Sequence, residues 1–163
     1  MILRLAEMED RPAILAVFAA ARAFMASHGN PTQWGTDRPA PALIDADLAA
    51  RRLQVLTGED GVIHGVFTLI VGPYHAYEEM EEGAWRWQET YGTIHRLASD
   101  GALHGVLPAV LAACEREIGY LRADTHPDNK VMQHLLTKYG FQYAGIIRAD
   151  DGTIRWAYER KEA

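Results

Sequence analysis

The chain has a single cysteine, Cys114, among its 163 residues. One thiol excludes an internal disulfide and makes a thiolate zinc site implausible. The seven histidines do not cluster at metal-ligand spacing, so no catalytic metal is expected. Basic charge is scarce: 16 Lys and Arg stand against 22 Asp and Glu, a net −6, which argues against a general nucleic-acid binder. No apolar run approaches the roughly 20 residues of a membrane span. The N-terminus, MILRLAEMED, shows no secretion signal, so the expectation is a cytoplasmic protein without a membrane partner. Internal repeats, low-complexity tracts and linkers are absent, which predicts one domain over residues 1–163. Two nucleotide signatures are missing as well. No Gly-Lys-Ser/Thr follows any glycine turn, and the G-x-G-x-x-G spacing does not occur.

What is present is a regular alternation of strand and helix signals. Ile2 to Leu5 suits a short first strand. Asp10 is a good helix cap and Pro12 suits a first turn. Ile14, Val17, Phe18, Ala21, Phe24 and Met25 then recur at helical spacing until Gly29 and Pro31. A second helix is predicted from about Ala42 to Arg52. Leu53–Thr57 and Val62–Val71 read as a hairpin around Gly58-Glu59-Asp60-Gly61. Residues 72–90 form a long connection rich in aromatics and acids, and loops of that length in compact domains are often functional. A fourth strand, Thr93 to Ala98, leads through Ser99-Asp100-Gly101-Ala102 into an apolar helix that starts near Gly105 and runs to Ile118. Cys114 lies on the apolar stripe of that helix and reads as core. Tyr120–Asp124 is a strand, Pro127 is expected to start a helix ending at Gly140, and Phe141–Ile147 and Ile154–Glu159 flank the turn Asp150-Asp151-Gly152. This predicts an α+β fold: a mixed, mostly antiparallel central sheet flanked by four helices.

The strand, glycine-bearing turn and helix around Gly105 aim free N–H groups and a positive helix end at one point, where a pyrophosphate could be held by main chain alone. Many such turns carry glycine for backbone reasons only, so this signal gains force from its company.

Taken together, the chain resembles the GNAT superfamily of acetyl-CoA-dependent N-acetyltransferases. The element order matches from end to end. Local matches are TIHRLAS in the fourth strand, the turn with Gly105, LRADTHPDN before the fourth helix, KYGF closing it, and the C-terminal GIIRADDGTIRWAYE. The resemblance implies a bulged fourth strand that parts from the fifth, with the pantetheine arm of acetyl-CoA along Leu97, Ala98 and Ser99. It implies pyrophosphate at Leu103, His104, Gly105, Val106 and Leu107, and a cofactor contact at Asn129. The motif departs from the family at Ala102 and Leu107, where a polar and a small residue are usual. Leu107 would crowd the phosphates unless it turned into the core. Asp100 would have to point away and shape the turn. Leu136 stands where many members carry the Tyr that protonates the leaving thiolate, and Tyr139, three residues on, is an alternative donor or a packing residue.

Transfer to an amine also needs a proton acceptor. His95, on the same strand face as Thr93 and Leu97, is the leading candidate, set against a plain core histidine. His126 is the second candidate, set against a cap before Pro127. Gln33, Trp34 and Trp85 are expected to bind the acceptor, and the acidic run Glu78, Glu79, Glu81 and Glu82 could attract a cationic amine or be a solvated face. The expected function is acetyl transfer from acetyl-CoA to a small-molecule amine or amino acid derivative by direct attack. A catalytically inactive acyl-CoA-binding or regulatory module of the same fold is the alternative. An antibiotic or peptide-terminus acceptor, and a homodimer, stay open.

Overall fold

The computed structural model describes residues 1–163 and arranges them around one eight-stranded sheet. The strands are β1 (Ile2–Leu5), β2 (Leu53–Thr57), β3 (Ile63–Val71), β4 (Glu82–Gly83), β5 (Gly92–Ser99), β6 (Tyr120–Thr125), β7 (Gln142–Arg148) and β8 (Ile154–Lys161). Their spatial order is β1-β2-β3-β5-β6-β8-β7-β4, and only the β5–β6 pair is parallel. The helices are α1 (Arg11–Ser27), α2 (Pro41–Ala49), α3 (Val106–Glu115) and α4 (Lys130–Lys138). The expected α+β architecture is therefore present, with one strand more than the sequence suggested.

Each sheet face has its own core because strand side chains alternate. Val55, Val66 and Ala98 point toward α1 and α2, where they meet Ile14, Val17, Phe18, Ile44 and Leu48. Their neighbours Leu56 and Phe67, with Ile94 and Leu121, point the other way toward Leu107, Val110, Leu111 and Cys114 of α3 and Leu136 of α4. Burial raises the Cys114 thiol to about 12, so it behaves as a core residue.

Local chemistry fixes most helix ends. Gly29 (φ 81°) stops α1, and the Asn30 N–H returns to the Met25 carbonyl. Gly140 (φ 86°) closes α4, and the Phe141 N–H returns to Leu136. Two expectations fail here. Asp10 does not cap α1 with its side chain; it takes Arg4 at 2.7 Å and the Glu7 N–H at 2.8 Å. Pro127 does not start α4. Residues 126–129 form a turn, and Asn129 is the cap, its Oδ1 accepting the Met132 N–H at 3.1 Å.

The long connection also differs from the expected loop. It contains a 3-10 turn at His75–Tyr77 and then β4, which pairs Glu82 with Ile146 and Gly83 with Gly145 at the far sheet edge. The backbones approach so closely that a Cβ on Gly145 would lie 1.9 Å from the Glu82 carbonyl oxygen. Its aromatics mostly form a third cluster: Tyr77, Trp85, Tyr91 and Tyr120 pack together. The Arg122 guanidinium carbon lies 4.0 Å over the Trp85 ring and 3.8 Å over Tyr91.

Candidate active site

β5 and β6 touch at one end only. Gly92 pairs with Leu121 and Thr93 with Arg122, and no pairing follows. Gly92 permits the zipped end, because a Cβ there would meet Ile118 at 2.7 Å and Leu69 at 3.0 Å. Beyond it β5 is bent by a bulge: the register against β3 shifts between Val66 and Thr68, so Arg96 and Leu97 together oppose Phe67. Arg96 carries the left-handed backbone this requires, with φ of 51°. Such a conformation is unusual for a non-glycine residue. It is held by Asp47, a fully buried carboxylate on α2 that accepts Arg96 Nε and Nη2 at 2.7 Å each, Arg52 Nε at 2.8 Å and Thr68 Oγ1 at 2.9 Å.

Past the bulge, Ala98 pairs with Val66, and the Asp100 N–H donates to the His64 carbonyl at 3.0 Å. Alternation in an antiparallel ladder therefore turns Ala98 toward β3 and the main-chain groups of Leu97 and Ser99 toward the gap facing β6. Of the three expected pantetheine contacts, Leu97 and Ser99 offer main-chain groups to that gap and Ala98 does not.

The turn that follows is shaped by its own side chains. Ser99 Oγ accepts the Gly101 N–H at 3.1 Å and Asp100 Oδ1 accepts the Ala102 N–H at 2.9 Å, while Asp100 Oδ2 meets His64 Nδ1 at 2.8 Å. Gly105 caps α3 with φ of 73°. None of the five N–H groups from Leu103 to Leu107 donates to another group of the chain. A run of unanswered N–H groups at the positive end of a helix fits a diphosphate. The Leu107 side chain is 5% exposed and packs into the α3 core, so it leaves this main-chain cradle clear. His104 is exposed at the same turn.

The gap opens into a cavity of about 240 Å³. Its floor is Ile94, His95, Arg96 and Leu97 from β5 and Ala123, Asp124 and Thr125 from β6. Gln33, Trp34 and Arg38 come from the α1–α2 segment, and Tyr74 from the long connection. Asn129 and Leu136 come from α4, and Asp150, Asp151 and Arg155 from the β7–β8 hairpin.

The structure thus brings together His95, Leu97, Leu107, Asn129, Gln33 and Trp34 from the sequence-predicted set, and keeps others out. Trp85 is not in the cavity; it is 9% exposed and donates its Nε1 to the Tyr77 carbonyl at 3.0 Å, as part of the aromatic cluster. Tyr139 is not there either, since its ring packs against the α3–α4 core beside Lys138. Leu136 occupies the wall instead. His126 uses Nδ1 to accept the Asp128 N–H at 3.0 Å, which shapes the turn before α4 but does not cap the helix, and it does not line the cavity. Glu78, Glu79, Glu81 and Glu82 are exposed and outside it.

His95 reaches the cavity, its ring edge-on to Tyr74 at 4.7 Å. Its Nε2 is buried without a partner. Burial, helped by the neighbouring Arg96 charge, pushes it down to about 3. The imidazole is therefore neutral near pH 7 and a weak proton acceptor there. Gln33 and Asn129 are tied to each other: Gln33 Oε1 accepts Asn129 Nδ2 at 3.1 Å and Asn30 Nδ2 at 2.9 Å.

Asp124 was not singled out by the sequence, where it is only the last acid of an apolar strand. It stands on the β6 side of the gap with Oδ2 accepting the Tyr77 hydroxyl at 2.6 Å. Burial holds it above the usual carboxylate range, against the pull of that hydrogen bond and of Arg155. Burial likewise raises Tyr74 to about 12, so it stays protonated.

An acetyltransferase of the GNAT family from Streptococcus agalactiae 2603 superposes with a TM-score of 0.87 and 30% identity, over 99% of this chain and 95% of that one. One from Listeria monocytogenes 4b F2365 matches in fold at TM-score 0.71 and 18% identity, over 99% and 94%. The NatC complex bound to Gag peptide and CoA shares the fold at TM-score 0.63 and 10% identity, over 99% of this chain and 98% of that one. No protein-family model matches the chain, and no curated protein sequence does. The fold class is that of acyl-CoA N-acyltransferases. Given the identity and coverage of the streptococcal match, the chain belongs to the GNAT family of acetyltransferases.

Proposed function

We propose that this protein moves an acetyl group from acetyl-CoA to the primary amine of a small molecule by direct attack. The observation that carries the reading is the parting of β5 from β6 after Thr93 and Arg122, joined at one end to the free N–H run of Leu103–Leu107 and at the other to a largely apolar cavity with a few charged groups. A peptide-like pantetheine arm suits the unpaired main chain of Leu97 and Ser99 as an added strand would. The cradle before α3 suits its diphosphate. Coenzyme A supplies the acetyl group as a thioester; the rest of the chemistry belongs to side and main chain of this protein.

The Leu97 N–H is the donor assigned to the thioester oxygen as it gains charge. Asp124, fixed by Tyr77, takes the proton from the incoming ammonium, a task suited to a carboxylate with a raised pKa in a partly water-excluded site. Trp34 and Tyr74 wall the acceptor. Holding both reactants in one cavity can supply about 7–11 kcal/mol of the barrier. With Leu136 in the wall no side chain protonates the sulfur; it leaves as thiolate, which a conjugate-acid pKa of about 8.5 permits, and the second proton shed by the nitrogen as the amide forms goes to that thiolate or to solvent.

The test is a melting curve with and without acetyl-CoA, followed by an amine panel read by thiol release. A clear rise in Tm with turnover on at least one amine is expected. A rise in Tm with no turnover on any amine would assign the chain to a non-catalytic acyl-CoA-binding module, and no rise at all would refute both.

A further inference from the structure

Arg155 is 6% exposed and stands on β8 in the cavity wall. Its Nη2 donates to Asp151 Oδ2 at 2.9 Å, but its Nη1 is buried and meets no acceptor in the chain. A guanidinium is always charged and presents two parallel N–H edges that match a carboxylate. A buried edge left unanswered is costly, and Asp151 cannot answer it. Asp151 already takes the Thr153 N–H at 2.9 Å and hydroxyl at 2.6 Å on Oδ1, and Arg38 as well as Arg155 on Oδ2. Asp124, in the same cavity, has the opposite imbalance. Tyr77 occupies its Oδ2, and its Oδ1 has no partner in the chain.

One cavity therefore holds a buried guanidinium edge without an acceptor and a carboxylate oxygen free of protein partners, with Trp34 and Tyr74 as wall beside them. A simple cationic amine would answer Asp124 and leave Arg155 as it is. A zwitterion answers both. We propose that the acceptor is an amino acid with a free carboxylate, its carboxylate bound by Arg155 and its amine delivered toward Asp124. This rests on the transferase reading above and narrows it to one substrate class.

The experiment compares, for several side-chain types, the free amino acid, its carboxamide and the amine lacking the carboxyl group. Thiol release from acetyl-CoA is followed with the wild-type protein, Arg155→Met and Arg155→Lys. The acetyl-CoA shift in Tm is recorded for each protein first. The free acid is expected to win by about 10²-fold or more in kcat/KM, since a site built to pair a polar group rejects the analogue that lacks it. Arg155→Met should erase that preference while the acetyl-CoA shift in Tm persists, and Arg155→Lys should keep part of it. Should Arg155→Met fail to fold, the lysine variant, which keeps charge but not the fork, still has to lose preference for the acid by about tenfold or more. Amides or plain amines used as well as acids would overturn the proposal and leave the transferase standing. So would a preference untouched in both variants, or acids that give neither turnover nor a Tm shift. Loss of the acetyl-CoA shift in Arg155→Lys, with selectivity unchanged, would reassign the residue to the carrier chain and overturn it too. If the wild type shows no acetyl-CoA shift, the parent reading falls and takes this one with it.

Discussion

Replacing Asp47 by Asn tests whether one buried carboxylate shapes the gap between β5 and β6. Asp47 is fully buried and faces two guanidinium groups, Arg96 with a side chain 14% exposed and Arg52 at 36%. Asparagine has nearly the same size, so no cavity is made. It removes the charge and turns an amide N–H₂ toward one of the arginines. Arg96 is then a nearly buried cation without a counter-charge, a situation that typically costs about 3–5 kcal/mol. Arg52 is exposed enough for water to replace most of its loss, so it adds little. In a protein of this size each kcal/mol moves Tm by about 2–4 °C, so the expected fall is about 6–20 °C. Arg96 also holds φ of 51° with that ion pair. Freed of it, the bulge is expected to relax and β5 to extend its pairing toward β6, so the acetyl-CoA shift in Tm should shrink along with the stability. The assay is a thermal melt of wild type and Asp47→Asn with and without acetyl-CoA. A variant that melts within 2 °C of wild type, or one that loses stability but keeps the full ligand shift, would refute the link between the buried charge and the bulge (the 2 °C bound being about the effect of 1 kcal/mol).

Asp124→Asn is expected to lower kcat about 10²–10⁴-fold and to remove the acidic limb of the kcat/KM profile, because the base works only when ionised. The same change should raise Tm at pH 7: the folded-state pKa of Asp124 lies above its ordinary value, so its stability contribution is complete below that value and is lost as pH rises through the folded one. His95 has the opposite sign. With its pKa pushed down to about 3, its contribution is full above about 6.5 and fades as pH falls toward 3; this one group should remove about 2 kcal/mol between pH 6.5 and 5, and His95→Gln should show that much less acid sensitivity in denaturant titrations. Gly105→Ala meets no atom within 4 Å, so its cost is the positive φ alone, about 1–2 kcal/mol; acetyl-CoA titration should also show weaker binding. Gly145→Ala should cost more, since its Cβ would overlap the Glu82 carbonyl, and melting curves of the two glycine variants rank them directly.

Periodic apolar residues and turn glycines made most of the fold readable. Ile14, Val17, Phe18 and Ala21 do line the inner face of α1, and Gly105 does open α3. The bulge that the resemblance implied is present, but no residue pattern marked its place, because its left-handed residue is Arg96 rather than a glycine and its support, Asp47, is 49 positions away. β4 is two residues long, too short for any alternation to register. Trp85 reads as a pocket aromatic from its loop, yet the strand pairing of Gly83 with Gly145 turns the segment onto the core, where Arg122 stacks on the ring. Asp124 and Arg155 belong to the cavity only because β6 and β8 are neighbours. Spacing along the chain carries no trace of that meeting.

The stitch between Glu82 and Ile146 has a consequence for how the molecule comes into being. The segment after β3 finds its strand partner only in a hairpin made near the other end of the chain, and the same hairpin brings Asp151 and Arg155. During synthesis β1, β2, β3 and β5 can pair early, but β6 and the core under α3 and α4 wait for β8 and its Tyr158. Such late, distant pairing slows folding compared with a helical protein of equal length. Turnover should therefore begin only after residues beyond Arg155 have emerged, and a ribosome-stalled chain lacking them should neither complete the gap between β5 and β6 nor consume coenzyme A.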